Sequence, residues 1–176
     1  YYLALIRFFD KEFDSSRVAL RKLLVDYPRR FYVNDALQLL TLMDRAENER
    51  DLLYEFSGAL LFEQMRQPDS TAVKLELLAQ GPNRALADIA LYRLALLKLR
   101  LSDTVTAVGY IDRLENDFPE SYYLPYALKA KADVCFSRAD DREQARAIYR
   151  RLLEEYPNYP FISEVREIIR ALEGEA

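Results

Sequence analysis

The ten residues LLEEYPNYPF, 152–161, decide how the rest of the chain is read. Two leucines and two acids continue a helical pattern. An aromatic residue and a proline then stop it, and a new apolar pattern begins. The same order recurs in LLVDYPRRFY (23–32) and LENDFPESYY (114–123). A proline just beyond the last turn cannot continue a helix. It also pushes the residue before it, here Tyr27, Phe118 or Tyr156, out of the α region. The motif is therefore punctuation: it ends one helix and opens the next.

Counting outward from Pro28, Pro82, Pro119 and Pro157 reveals a repeat. Five residues before each stands Leu23, Leu77, Leu114 or Leu152. Twelve before stands a small residue: Ser16, Ser70, Ala107 or Ala145. About 24 before stands another: Ala4, Gly58, Ala95 or Ala132. Eight after stands Ala36, Ala90, Ala127 or Val165. Ala4 to Gly58 is 54 residues, whereas Gly58 to Ala95 and Ala95 to Ala132 are both 37. Small residues on facing helices let two backbones approach, and a leucine at fixed offset fills the groove between them.

Between the prolines the periodicity is helical. In RALADIALYRLALLKLR (84–100) and the residue after it, apolar side chains fall at Leu86, Ile89, Ala90, Leu94, Leu97 and Leu101, the spacing of an amphipathic helix. No useful stretch alternates with period two, and Asn-Gly and Asp-Gly hairpin turns are absent. Helices are expected near 1–13, 15–27, 31–45, 49–66, 70–80, 84–100, 103–117, 121–138, 141–155 and 161–173. Asp14-Ser15-Ser16, Asp69-Ser70, Ser102-Asp103 and Asp140-Asp141 are the expected helix caps. The long first interval comes from one additional helix, RFYVNDALQLLTLMDRAEN (30–48), with no hairpin partner. The last helix should act as a lid. Phe161, Ile162, Val165, Ile168, Ile169 and Leu172 face inward, and Glu164, Arg166, Glu167, Arg170 and Glu173 face water.

Composition narrows the function. The 176 residues carry a net charge of −4 and a pI of about 5.1, which argues against nucleic acid as the main ligand. No histidine is present and Cys135 is the only cysteine, so a zinc site, an internal disulfide and the commonest general base are all missing. Cys135 lies in a helical apolar pattern and reads as buried filler. No P-loop, GxGxxG or nucleophile elbow occurs. Asp140-Asp141 and Glu154-Glu155 are neighbours and do not face each other on a helix, so neither is a catalytic pair. No uncharged run is long enough to span a membrane. The chain starts inside a helical pattern without an initiator Met, and reads as a C-terminal piece of a longer protein.

The small residues of paired helices with a terminal proline, at Ala4, Ser16 and Pro28 and their counterparts, resemble the tetratricopeptide repeat. The usual period of that repeat is about 34; here the junctions are longer. The form YP-x-S-x-Y-x-x-x-A-L is similar to the repeats of bacterial envelope proteins, such as outer-membrane assembly lipoproteins and Tol–Pal-associated coordinator proteins. That likeness points to a periplasmic or outer-membrane setting. The resemblance implies an all-α solenoid of antiparallel hairpins over residues 1–176. The hairpins are 1–27, 49–80, 84–117 and 121–155, with the extra helix at 31–45 and a capping helix at 161–173. It implies a non-catalytic scaffold, without cofactor or metal, that binds a partner protein or peptide on a concave face, with no nucleic acid and no membrane insertion. By the family's pattern that face includes Tyr1 and Phe8; Glu55, Ala59 and Phe62; Tyr92, Leu96 and Arg100; and Lys129, Asp133 and Phe136. A peptide or a helix laid in the groove would suit this mixture of aromatic and charged groups. The alternative is a structural end-piece that caps a longer solenoid or self-associates, with no groove of its own.

Overall fold

The computed structural model describes residues 1–81, 84–138 and 141–174. Pro82, Asp140 and the side chain of Glu173 lie outside the described residues. Among the described residues every long regular element is a helix. These are α1 (Tyr2–Phe9), α2 (Phe13–Asp26), α3 (Val33–Arg45), α4 (Arg50–Gln64), α5 (Pro68–Gln80), α6 (Ala87–Arg100), α7 (Thr104–Asp117), α8 (Leu124–Phe136), α9 (Arg142–Glu155) and α10 (Ile162–Gly174). They form two compact units, Tyr1–Ala90 and Leu91–Ala176.

The proline punctuation acts as its chemistry requires. Tyr27, Phe118 and Tyr156 close α2, α7 and α9 with nearly the same backbone, φ/ψ of −137/55°, −140/60° and −127/57°. The turns inside the hairpins differ from expectation. Lys11, Arg66 and Ser102 take positive φ, at 65°, 56° and 61°. The next residue's N–H then reaches five residues back: Glu12 to Arg7, Gln67 to Phe62, Asp103 to Lys98. This is the Schellman ending of a helix, built here without glycine. It stops α1 at Phe9 and starts α2 and α5 two residues earlier than the capping residues suggested. Asp14, Ser15 and Ser16 consequently lie within α2, and Asp69 and Ser70 within α5, where none caps. Asp103 does cap α7, accepting the Thr106 N–H at 3.2 Å. A hydrogen bond from the Thr106 hydroxyl, together with that N–H, holds its carboxyl below the ordinary value of 3.8. Asp141 occupies the cap position of α9 without a capping bond from its side chain.

In the first unit α1 crosses α2 where two small residues meet. The buried Ser16 hydroxyl donates to the Ala4 carbonyl at 2.8 Å, so the serine serves the crossing. Around it pack the rings of Phe8, Phe13 and Phe56. The second hairpin, α4 with α5, corrects the spacing. Counted from the left-handed residues, the equivalents of Ala4 and Ser16 are Ala59 and Thr71, each 1% exposed. Gly58 and Ser70 are only half-buried. Pro82 comes one residue early in this repeat, and counting back from it displaced both assignments by one.

A Cβ at Gly58 would meet only the Lys74 side chain, at an ordinary 3.7 Å. Gly58→Ala is therefore expected to raise stability by about 0.5–1 kcal/mol, the helix-interior cost of glycine. Ala59→Leu, one residue on, is expected to lower it by about 1–3 kcal/mol through overpacking. Denaturant titration of the two variants checks the assignment, and the opposite order would restore Gly58 to the crossing.

The extra helix α3 is seated against the first hairpin. It packs on α2 with Ala36, Leu39, Leu42 and Met43 buried. The Arg17 guanidinium donates to the Met43 carbonyl. Arg45 at its end forms a forked pair with the buried Asp88 carboxylate, at 2.7 and 3.4 Å. In the second unit α10 packs on α9. Ala36 and Val165, both eight residues after a proline, are the fully buried residues that begin each contact.

The second unit is built on α6 to α10. Leu91, Leu94, Ala95 and Leu97 of α6 are all buried, so its apolar surface is broader than one stripe, while Leu101 lies past its end and is exposed. Ala107, Ala127, Ala132 and Ala145 have no exposed surface, as their positions in the repeat require. The lid helix buries Val165, Ile169 and Leu172 and half-buries Ile162 and Ile168. Glu164, Arg166, Glu167 and Arg170 are in water. Phe161 departs from expectation: it precedes the helix, is 51% exposed and sets its ring edge-on to Tyr159.

Candidate functional site

Two concave surfaces stand out, one within each unit. The first lies where the end of α1 meets α4 and α5, and encloses about 460 Å³. Tyr54, Leu61 and Phe62 of α4 give it an apolar floor, and Phe9 and Lys11 close one side. The Lys11 ammonium sits 4.8 Å from the centre of the Tyr54 ring, a cation–π contact. Across the floor Lys74 pairs with Glu55 at 2.7 Å. Helical spacing explains the assembly: Tyr54, Gly58, Leu61 and Phe62 share one face of α4, opposite the buried Leu53, Phe56 and Ala59 stripe.

The second surface is aromatic and follows the proline junctions. Tyr92 stacks on Tyr123 with centroids 5.4 Å apart. Tyr126 meets Tyr122 at 5.5 Å and Tyr159 at 5.1 Å. The first unit holds the same stack: Tyr1 lies on Tyr32 at 5.0 Å, again 31 residues along the chain. The repeat thus carries a tyrosine three residues before its first small residue and another four after its proline. The sequence shows both positions, in YYLALIR (1–7) with Tyr32 and in YRLALLK (92–98) with Tyr123; it does not show that the two tyrosines meet.

The expected face divides between these surfaces and the core. Glu55 and Phe62 line the first cavity. Tyr1 and Tyr92 are half-buried members of the stacks. Leu96 is half-buried, and Arg100 and Phe136 are exposed. Lys129 is tied to Asp133 and Glu164, at 2.9 and 2.7 Å. Asp133 also accepts the hydroxyl of the buried Tyr149 at 2.6 Å, so this pair braces α8 against α9 and α10. Phe8 and Ala59 are corrections. Phe8 is fully buried because it lies one turn after Ala4, on the crossing face. Ala59 is itself the crossing residue of α4.

Burial drives the tyrosine chemistry. It pushes Tyr126 up to about 12, helped by its hydrogen bond to Tyr122. It raises Tyr92, Tyr149 and Tyr159 from the same ordinary value of 10.0. A folded-state pKa raised above the unfolded one adds stability that is whole below the unfolded value and is lost as pH climbs through the folded value. The melting temperature is therefore expected to decline as pH rises from about 10 towards 12. A flat profile there, measured by thermal melts, would show the rings to be freely solvated.

Burial, with Asp141 nearby, raises the Cys135 thiol, which disfavours the nucleophilic thiolate. Among the described residues no group of three His, Cys, Asp or Glu side chains could hold a metal ion. No described helix is long and apolar enough to cross a membrane.

No curated protein and no solved structure gives a significant match to the chain. Residues 89–121 and 134–159 match the family model of the tetratricopeptide repeat. The first match covers most of α6, all of α7 and the Phe118-Pro119 junction; the second covers α9 and the Tyr156-Pro157 junction. In its hairpins α1–α2, α4–α5 and α8–α9, the small residues at their crossings and the aromatic–proline stop after α2, α7 and α9, the chain is similar to tetratricopeptide-repeat proteins, with the repeat itself matched over residues 89–121 and 134–159.

Proposed function

We propose that the chain is a non-catalytic scaffold that receives a segment of a partner protein in the α4 groove of its first unit. Tetratricopeptide repeats mediate protein–protein interaction, and an all-helical repeat of this kind is typically non-catalytic. The observation that carries the choice of surface is the groove itself. Its floor presents Tyr54 and Leu61, 42% and 38% exposed, beside cationic Lys11 and the Lys74–Glu55 pair. Apolar side chains at the centre with charges at the edge are the composition of a binding patch.

Leu61→Asp places a charge on that floor without touching the core. Parent and variant are to be immobilised and challenged with the same lysate, and both examined by sedimentation. The expected result is a monomeric parent that retains a protein which the variant loses. Retention by both would overturn the α4 groove as the binding surface, and a parent that dimerises with rising concentration and retains nothing else would favour a structural end-piece over a scaffold.

A further inference from the structure

We propose that the second unit carries a separate binding site, the tyrosine–proline cavity between the starts of α8 and α10, and that its ligand is a proline-rich segment in the polyproline II conformation bearing a basic residue. The cavity encloses about 330 Å³ and lies wholly within this unit. Its walls are Tyr122, Pro125 and Tyr126 on one side and Tyr156, Tyr159 and Pro160 on the other. It shares no residue with the α4 groove.

Three features select the ligand. The first is shape. The rings of Tyr122, Tyr126 and Tyr159 follow one another at 5.5 and 5.1 Å, an aromatic-lined surface of the kind on which proline rings dock. A polyproline II chain is already extended and loses little entropy on binding.

The second is hydrogen bonding. Proline offers carbonyl acceptors and no N–H donor. The Tyr122 and Tyr126 hydroxyls lie 3.0 Å apart, and either can donate to the other. One phenolic proton closes that bond, which leaves the other for a ligand carbonyl. Tyr122 is 65% exposed, so its hydroxyl reaches the surface.

The third is charge. Glu155 lines the cavity, and Glu115 and Glu120 lie close enough to act on Tyr156. Arg151 also acts on that phenol, and it is shared between Glu155 and Glu115. Three carboxylates against the Arg151 guanidinium and an ammonium that Lys131 divides between Glu115 and Asp112 leave the mouth negative, which favours a lysine or arginine on the ligand.

Fluorescence anisotropy with a labelled decaproline peptide ending in arginine tests this. The parent is expected to bind it, and to bind a decaproline ending in glutamate or an alanine-rich helical peptide ending in arginine more weakly. Tyr122→Ala, which melts like the parent because the ring is exposed, should weaken the arginine peptide by about tenfold, the scale of an aromatic anchor. Glu155→Gln should narrow the gap between arginine and glutamate peptides, as should added salt. No binding of the arginine peptide, equal binding of the helical one, or an unchanged affinity in Tyr122→Ala would overturn the assignment. So would a parent that dimerises through this face and stops doing so in Tyr122→Ala, since the occupant would then be a second copy of the chain.

Discussion

Replacing Phe8 with alanine is expected to cost about 3–5 kcal/mol, the usual range for a buried aromatic ring. The side chain has no exposed surface. Its ring lies 5.4 Å from that of Phe13 on α2 and 6.5 Å from that of Phe56 on α4. These three rings join α1 to α2 and α4, and α1 packs on both helices. Close packing on all sides leaves little room for collapse, so most of the ring's volume would persist as a void. Urea unfolding followed by circular dichroism should show a lower midpoint with little change in slope. A loss below about 1 kcal/mol, the scale of surface substitutions, would mean that the ring is not enclosed and would return Phe8 to the binding face.

Deleting residues 161–176 is expected to have the second large effect. Val165, Ile169 and Leu172 are buried, and each contributes about 1.5–3 kcal/mol by leaving water, before the entropy of ordering α10 is counted. The deletion also removes the Leu172 carbonyl that Arg146 of α9 bonds at 2.9 Å and the Glu164 partner of Lys129. Hairpin α8–α9 would then expose the apolar face that α10 covers. Thermal melts should show a lower transition, and light scattering should rise with concentration. A truncated protein that stays monomeric and melts with the parent would make α10 a tail.

The helices were legible because they rest on periodicity and on proline, whose effects are local. All ten expected helices exist, and the residues before Pro28, Pro119 and Pro157 leave the α region as steric contact with proline demands. The hairpin turns were not legible. Their left-handed positions are held by Lys11, Arg66 and Ser102, residues that announce no turn, whereas the visible Asp and Ser clusters stand two residues later. The second hairpin was displaced by one residue because α5 is a residue shorter than α2 and α7, and a count from Pro82 cannot see that. The same limit governs the candidate face. Glu55 and Phe62 reach a groove, but Phe8 and Ala59 belong to a crossing, which only the packing of α1 and α4 reveals. The tyrosine stacks join residues 31 apart, a separation at which spacing alone shows recurrence but not contact.

A photo-crosslinking amino acid placed at Leu61, on the α4 floor, and in a second protein at Val25, which is 79% exposed on α2, separates a binding groove from a surface that is merely apolar. Irradiation in lysate is expected to join a partner protein to the Leu61 position and not to Val25. Equal capture at the two positions, or adducts at Leu61 that contain only a second copy of the chain, would contradict a partner-binding groove on α4.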